Sequence, residues 1–516
     1  MTGQGSVAGG TSGYAQRVSA FSVGFLSTLL AIFALHTVRD APTAPGHVSS
    51  VFVERLSASN HVQGASFQAA RVRTFTHWDA LDAIRPRRRT PSASREIEPA
   101  CSRWAVITSI FKPTVLVYQL AALSVSDGWC TVVVGDKKSP RSYLPHDFDG
   151  RVVYLSPDDQ LALPFRSVAS TPWNHFGRKN LGFLYAVWRG AKVIYDTDDD
   201  NRLRTRDECW EKQCFRFLNA TALLSAQRKM NRLHQLKPPG GGTAKVTNPY
   251  LYFGAKTVPE LDGLPASRAH RDALMRLAAN ALDPDPDSAD FIWPRGYPLT
   301  EILNDEARTR PRDRKTERTR IRLRDVAVFQ SLADHDPDVD AVYRLTRARP
   351  VEFRGNRTVT VIPAGVMSPY NAQATLFRHS AFWSLYLPTT VPGRVSDIWR
   401  SYFGQRLLWD TGMYVAFTKP WVVQYRNEHD FMKDLEAERL LYTHADALVN
   451  ALNDWTCLLD RLSSCLDLLY ISMYELGMIE LGDVMQNHKF LTDLAEVGYE
   501  FPRLTAQARG AGTRKR

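Results

Sequence analysis

Cysteine is scarce in this sequence, with six residues in a chain of 516, and no two of them form a Cys-x-x-Cys pair. No Cys/His spacing typical of zinc is present either, which excludes the common structural zinc modules. The spacing of Cys209 with Cys214, and of Cys457 with Cys465, is compatible with local disulfides in an oxidising compartment. Unpaired thiols in a packed core are the alternative.

Nucleic-acid-binding signals are also missing. The basic segment of residues 308–324 (RTRPRDRKTERTRIRLR) has no interleaved aromatic residues and matches no known nucleic-acid-binding module. We interpret it as a solvated insertion and expect no nucleic-acid partner. The formal net charge of +11 is equally compatible with nucleotide-sugar phosphates or a membrane surface.

An EF-hand is excluded in residues 334–340 (DHDPDVD), although acids alternate there. A calcium loop needs glycine at its sixth position and glutamate at its twelfth, where this chain has Val339 and Leu345. We predict a structured loop on the acceptor side of a site instead.

What the chain does contain begins with one long apolar run. Residues 18–38 (VSAFSVGFLSTLLAIFALHTV) carry no Asp, Glu, Lys or Arg and are long enough for a transmembrane helix. We predict a short cytosolic tail (1–17), a single-pass type II anchor (18–38) and a flexible, Pro- and Ser-containing stem (39–100). A cleaved signal peptide is the alternative. Two Asn-x-Thr sequons, at Asn219 and Asn356, are compatible with a lumenal location.

From residue 101 the pattern alternates between strand and helix, which is typical of an α/β domain with a mostly parallel sheet. Strands are predicted at 104–111, 129–134, 151–155 and 192–195, with a helix at 180–189 before the fourth strand. We assign residues 101–430 to this domain, 431–505 to a C-terminal helical region and 506–516 to a disordered tail. Ligands of open α/β sheets bind beyond the carboxyl ends of the strands, where Thr108 and Asp136 would lie.

The fourth strand leads directly into the acidic sequence Asp198-Asp199-Asp200. In extended backbone the first and third carboxylates share one face, so Asp198 and Asp200 can hold one cation. Mg²⁺ and Mn²⁺ bind carboxylate oxygens and complete their shell with water and substrate phosphate. The sequence therefore predicts an Mn²⁺ or Mg²⁺ site that faces a diphosphate, and a solvated acidic turn is the alternative.

An α/β half that ends in Asp-x-Asp resembles the GT-A (Rossmann-like) glycosyltransferase fold. Several longer motifs resemble the plant STELLO proteins and their relatives, which are Golgi type II membrane proteins of probable glycosyltransferase activity. More distantly, the sequences DDD, RGYP and DIW look like the reversibly glycosylated polypeptides, which include UDP-arabinopyranose mutases. The STELLO-like motifs are RKNLGFLYAVWRGAKVIYDTDDDN (178–201), WPRGYPL (293–299), QSLADHDPDVDAVYRLT (330–346), GVMSPYNAQATLF (365–377) and SDIWRSYFGQRLLWDTG (396–412).

The GT-A resemblance implies a donor site built from residues near the strand ends. It implies that Lys179 and Asn180, at the start of a helix, contact the nucleotide, and that Asp136 meets the nucleobase. Arg295 in WPRGYP is a candidate for a phosphate contact. A helix start that faces water, an ordinary turn at Asp136 and an exposed Arg295 in a structural turn are the respective alternatives.

Two further residues complete the predicted site. Asp397 precedes a helical motif and is the candidate base that accepts the acceptor hydroxyl proton in an inverting reaction, with plain N-capping by Ser396 or Asp397 as the alternative. His429 is a candidate third metal ligand, as a C-terminal histidine is in several GT-A enzymes, and a surface histidine is the alternative.

These features predict a metal-dependent Golgi glycosyltransferase that moves a sugar from a nucleoside diphosphate donor, UDP in the first instance, to a glycan or protein acceptor. A UDP-sugar mutase would share the donor site and need no acceptor. A non-catalytic assembly factor for polysaccharide synthase complexes would keep the fold without turnover.

Overall fold

A computed structural model describes most of the chain between residues 101 and 505. The described residues are 101–143, 151–204, 234–236, 245–257, 290–308, 316–318, 321–347, 349–355, 359–426, 430–457 and 459–505. They all belong to one compact unit that spans residues 64–516. The predicted tail, anchor and stem (1–17, 18–38 and 39–100) and the predicted C-terminal tail (506–516) lie outside them. Within the described ranges, no helix has the length and apolar character needed to cross a bilayer.

The first half of the sheet is parallel, as the sequence predicts. Its strands occur in the order β3-β2-β1-β4, and each pair of neighbours runs parallel. The elements are β1 (Arg103–Thr108), α1 (Val115–Asp127), β2 (Trp129–Val134), β3 (Val152–Leu155), α2 (Pro157–Leu161), α3 (Lys179–Trp188) and β4 (Val193–Thr197).

Helix α3 lies very close to this parallel half. A Cβ added at Gly182 would be 2.6 Å from Val134 Cγ2 and 2.8 Å from Val106 Cγ1, so only glycine fits there. Thr108 pairs with Val134 in the register of β1 and β2, which puts the carboxyl ends of these two strands side by side. The start of α3 and the ends of the strands therefore meet at one edge of the sheet.

The second half of the sheet is mixed. Strand β12 runs antiparallel to both β4 and β9, β9 runs parallel to β13, and β5 pairs antiparallel with β13. Ten of the thirteen described strands follow the order β3-β2-β1-β4-β12-β9-β13-β11-β6-β8, and β10, which pairs with β7 and β9, lies off this path together with β5 and β7. The remaining strands are β5 (Asn201–Leu203), β6 (His234–Leu236), β7 (Ala255–Thr257), β8 (Thr316–Arg318), β9 (Val326–His335), β10 (Val351–Phe353), β11 (Val359–Val361), β12 (Ala374–Arg378) and β13 (Tyr414–Gln424).

Helices dominate the C-terminal part of the described chain. Trp399, Leu466 and Phe490 belong to one hydrophobic cluster, so these helices share a core with the α/β part. The helices after β4 are α4 (Leu299–Arg308), α5 (Ala341–Thr346), α6 (Gly393–Asp410), α7 (Phe431–Ala437), α8 (Arg439–Asp454), α9 (Leu462–Glu475) and α10 (Leu481–Glu496).

Two disulfides are present among the described residues. Cys457 and Cys465 are bonded, one of the two pairings that the sequence spacing allowed. The second bond, between Cys101 and Cys130, was not predicted and joins the segment before β1 to β2. Cys209 and Cys214 lie outside the described residues.

Candidate functional site

A pocket of about 260 Å³ opens at the carboxyl ends of β1 and β2. It is formed where the loops after these strands meet the segment before α3. Both strand-end predictions, Thr108 and Asp136, line it, and Asp199 of the acidic triplet forms part of its wall. The lining residues are Thr108, Ser109, Ile110, Phe111, Val134, Gly135, Asp136, Lys138, Asn174, His175, Phe176, Arg178 and Asp199.

The carboxylate of Asp136 holds one part of the pocket wall in place. Its Oδ1 accepts hydrogen bonds from the backbone N–H groups of Lys137 (2.7 Å) and Asn174 (2.9 Å), and its Oδ2 accepts one from His175 N–H (3.3 Å). These bonds attach the 174–178 loop to the end of β2. Three backbone N–H groups therefore already bind the carboxylate of Asp136. The nucleobase contact implied for Asp136 stays a prediction.

Arg178 is the buried cation of the pocket. Its Nε donates to Gln160 Oε1 (2.6 Å), its Nη1 donates to Thr171 O (3.0 Å), and its guanidinium stacks 3.4 Å from the centroid of the Trp173 ring. Its Nη2 is buried and has no hydrogen-bond partner in the described part of the chain. Burial lowers the pKa of Arg178 to about 10, so the group remains charged at neutral pH. A charged guanidinium in the pocket wall favours an anionic ligand, although Nη2 itself has no accessible surface.

The two residues that follow Arg178 do not face the pocket, which corrects the prediction for Lys179 and Asn180. Lys179 is fully buried, with Nζ 2.6 Å from Asp196 Oδ1 and 2.9 Å from Thr197 O. Asn180 exchanges two hydrogen bonds with the backbone of Leu387, at 2.9 and 2.8 Å. Both side chains are used inside the protein, so neither is available to a nucleotide. The alternative, a helix start that faces water, is wrong as well.

The acidic triplet forms a turn between β4 and β5, and not the extended segment assumed from the sequence. Asp198 keeps 34% of its side chain exposed, and its nearest ion-pair partner is Lys179 Nζ at 3.4 Å. Asp199 accepts a short hydrogen bond from Ser109 Oγ. Asp200 Oδ2 accepts one from Gln424 Nε2 (2.9 Å), whereas its Oδ1 is buried and has no partner among the described residues.

The carboxyl groups of this turn repel one another. Burial, together with Asp200 and Asp196, raises the pKa of Asp198 to about 8, against the lowering effect of Lys179. Burial and Asp199 raise the pKa of Asp200 to about 6, against a hydrogen bond from Gln424. Burial also raises the pKa of Asp199. A bound cation would relieve this repulsion.

A divalent cation also fits the charge balance around the turn. A second ion pair holds Asp196, because Arg400 Nη1 lies 2.7 Å from its Oδ2. Two buried cations, Lys179 and Arg400, thus oppose the four carboxylates of residues 196–200, and two negative charges remain when all four are ionised. The oxygen-only donor set and the unpartnered Asp200 Oδ1 fit Mg²⁺ or Mn²⁺. No group of three or more His, Cys, Asp or Glu in the described ranges has the arrangement of a complete protein-ligated metal site.

Asp397 and Arg295, the predicted base and phosphate contact, bind each other. Arg295 Nη1 and Nη2 donate to the two Asp397 oxygens at 3.1 and 2.8 Å, and its Nε donates to Asp338 Oδ1 at 2.9 Å. Asp397 Oδ2 also accepts from Ala372 N–H (3.0 Å). Both side chains are almost fully buried. Their surroundings therefore support neither a free general base at Asp397 nor a donor contact at Arg295.

The N-capping alternative for Asp397 is wrong too, because α6 begins at Gly393 and Pro392 precedes it as the cap. The WPRGYP motif is a buried turn against α6. A Cβ at Gly296 would clash with Ile398 Cγ2, and Tyr402 Oη donates to Gly296 O (2.9 Å). The alternative of an exposed Arg295 is thereby excluded. The acids at 334–340 are likewise internal, since Asp340 caps α5 and Asp338 holds Arg295.

Three predicted site residues, Asn219, Asn356 and His429, lie outside the described residues. Gln424, five positions before His429 in the chain, contacts Asp200. Whether His429 completes a metal shell stays a prediction.

Sequence reasoning missed the most distinctive pocket residues, Arg178 and His175. Both come from the segment between β3 and α3, which has no periodicity that predicts a strand or a long helix. Asn174 in this segment has a positive φ of 53°. The signal in the sequence that could have identified these two residues was an irregular loop directly before a helix that contains glycine.

The chain is similar in sequence to one family of known proteins. Residues 394–511 match the family model described as STELLO glycosyltransferases. Over 496 residues the chain is 27% identical to "Probable glycosyltransferase STELLO1" of Arabidopsis thaliana, covering 95% of this chain and 54% of that protein. It is also 27% identical over 489 residues to "Probable glycosyltransferase STELLO2" of the same plant, covering 93% of this chain and 54% of the relative. The chain spans about half the length of both curated relatives.

Proposed function

From the relationship of this chain to the STELLO family, which the matches confirm, we propose that it is a glycosyltransferase of GT-A type. The donor is a nucleoside diphosphate sugar, with UDP as the first candidate, and the acceptor is a glycan or a protein. The reaction depends on Mn²⁺ or Mg²⁺. The observation that carries the proposal is a pocket at one edge of a parallel sheet that is lined by the buried Arg178 and by Asp199, one of three neighbouring carboxylates whose pKa values are raised.

Charge explains how this edge can bind such a donor. Asp198 and Asp200 would hold the cation, with Gln424 fixing the orientation of Asp200. A metal there supplies positive charge to the leaving diphosphate without a proton transfer. Arg178 would contribute its positive charge to the nucleotide phosphates from the pocket wall, and the exposed face of Phe111 would offer an apolar surface for the base.

The stereochemical course of the reaction does not follow from Asp397. An inverting reaction was predicted with Asp397 as the base, but Arg295 and a backbone N–H occupy both of its oxygens. Asp397 therefore serves as a structural anion in the proposed enzyme. The configuration of the product sugar should be determined together with its identity.

One observation favours a second candidate function. Because the expected base is engaged by Arg295, a protein that binds the donor without turnover, such as an assembly factor for a polysaccharide synthase, is consistent with the same geometry. The two functions differ in their products and in the effect of removing Asp198.

The predicted compartment is the lumen of the Golgi, with the chain anchored through residues 18–38. The disulfides Cys101–Cys130 and Cys457–Cys465 support this proposal, because such bonds persist in oxidising compartments. Fluorescence localisation of the full chain, with and without residues 18–38, tests it. Diffuse cytosolic signal for the full chain would contradict it.

The proposal is tested by incubating the full chain with UDP-sugars and Mn²⁺, with and without glycan acceptors, and analysing the products. A glycosylated acceptor supports the transferase, whereas a rearranged UDP-sugar formed without acceptor would assign a mutase. Asp198→Ala should abolish product formation, and Asp454→Asn, which changes a surface carboxylate, should not. An Asp198→Ala protein that fully complements a cellular null, in the absence of any product in vitro, would favour the assembly factor.

A further inference from the structure

The turn at Thr389-Thr390 connects the C-terminal helix α10 with the pocket. Asp483 in the first turn of α10 is fully buried and accepts five hydrogen bonds from this segment. Its Oδ1 accepts from Tyr386 Oη (2.7 Å) and from Thr389 N and Oγ1 (2.5 and 3.2 Å). Its Oδ2 accepts from Thr390 N and Oγ1 (3.1 and 2.5 Å). One carboxylate on α10 therefore fixes both threonines in a single orientation.

The methyl group of Thr389 lies against Gly177, in the loop that contributes to the pocket wall. A Cβ added at Gly177 would lie 2.5 Å from Thr389 Cγ2 and 3.0 Å from His175 Nδ1. Thr389 cannot rotate its methyl group away without giving up its hydroxyl contact with Asp483. The Gly177 backbone is thus in direct contact with a side chain that α10 holds in place.

His175 carries this contact into the pocket. The Gly177 N–H donates to His175 Nδ1 at 2.9 Å, so the position of Gly177 sets the orientation of the imidazole. His175 lines the pocket next to Asp136 and Arg178. From the other side, Asn180 holds Leu387, two residues before Thr389. The 386–390 segment is therefore fixed by α3 and α10 together.

We propose that Asp483 and Thr389 are positioning residues for the candidate pocket. Through them, helix α10 of the C-terminal region determines the geometry of ligand binding at His175. Asp483 holds Thr389, Thr389 holds Gly177, and Gly177 orients His175. This inference deepens the proposed function, on which its ligand-binding part rests. It assigns a role in the site to a helix that contributes no pocket-lining residue among those described.

A double-mutant cycle tests this connection. Gly177→Ala introduces the clash, and Thr389→Ser removes the opposing methyl group while keeping the hydroxyl that bonds Asp483. Thr390→Ser is the matched control, because Thr390 makes the same contacts with Asp483 but is not among the close neighbours of a Gly177 Cβ. The readouts are the NMR signals of the His175 ring without ligand and the affinity for UDP with Mn²⁺ by calorimetry.

Gly177→Ala should shift the His175 signals and weaken UDP binding by about tenfold, because a displaced loop misplaces the pocket groups. Adding Thr389→Ser should restore the UDP affinity and return the His175 signals only part of the way, because the added methyl group still lies 3.0 Å from His175 Nδ1, and adding Thr390→Ser should restore neither. Unchanged His175 signals in Gly177→Ala, or equal restoration by the two serine variants, would overturn the inference. Failure of the wild-type chain to bind any nucleoside diphosphate would instead refute the proposed function, and the His175 signals would still decide the inference.

Discussion

The clearest quantitative prediction concerns the pH dependence of metal binding at the acidic turn. Burial raises the pKa of Asp198 to about 8 and that of Asp200 to about 6, so both bind protons that a metal must displace. With these values the ionised fraction of Asp198 rises about fiftyfold between pH 6 and pH 8, and that of Asp200 about twofold. We therefore expect the affinity for Mg²⁺ to increase about a hundredfold over this range. Carboxyls with the ordinary pKa of 3.8 would give almost no change.

Isothermal titration calorimetry at pH 6, 7 and 8 measures this dependence. Repeating the pH 7 titration in two buffers of different ionisation enthalpy counts the released protons, and we expect about one per Mg²⁺. Asp198→Asn should bind Mg²⁺ weakly, with an affinity that is nearly flat across this pH range. Asp454→Asn should behave as wild type. An affinity of the wild-type chain that is constant from pH 6 to 8, without proton release, would refute the reasoning.

The same groups predict the stability of the metal-free protein. Their pKa values are raised in the folded state, so the stability they contribute is complete below the ordinary pKa and is lost as the pH rises through about 6 and about 8. The Tm without metal should therefore fall between pH 6 and pH 8, and Mg²⁺ should raise the Tm more at pH 8 than at pH 6. A Tm that rises with pH in Asp198→Asn and wild type alike would contradict this account.

Three further predictions follow from single contacts. Gln424→Ala removes the hydrogen bond that orients Asp200 and should weaken Mg²⁺ binding by about tenfold to a hundredfold in calorimetry, without a change in fold. Asp397→Asn leaves Arg295 buried without its full counter-charge and should lower the free energy of unfolding in urea by about 3–5 kcal/mol, whereas a catalytic base would cost activity with little loss of stability. Arg178→Gln should weaken UDP binding by about tenfold and leave Mg²⁺ binding unchanged, and equal losses of both would contradict a contact with the nucleotide.

The parallel half of the sheet was predictable because of how it is buried. Strands such as β2 (WCTVVV) are covered on both faces and therefore appear as continuous apolar runs bounded by polar turns. The mixed half was not predicted in the same detail. Several of its strands have only three residues, such as β5 and β11, and they exist because a distant strand, β13, pairs with both. Short pairings of this kind leave no periodic pattern in the sequence.

The roles assigned to WPRGYP and SDIW failed for a related reason. Arg295 and Asp397 are 102 positions apart, and each has the chemistry expected of a ligand-binding or catalytic group when considered alone. The fold brings them together, and a buried bidentate ion pair leaves neither charge available. Sequence reasoning could identify the motifs but could not determine that they contact each other and not a substrate.

Arg178 and Lys179 illustrate why adjacent residues of like charge can have different roles at a helix start. Successive side chains of a helix point in directions about 100° apart, so two neighbouring cations can have different surroundings. Lys179 is buried and binds Asp196, whereas Arg178 lines the pocket. Lys179 and Arg400 both bind Asp196, so two buried cations oppose the four carboxylates of residues 196–200, and a divalent cation at Asp198 and Asp200 would balance the two remaining charges. Lys179 contributes to this balance because its side chain is internal, so the correction of its predicted role strengthens the case for the cation.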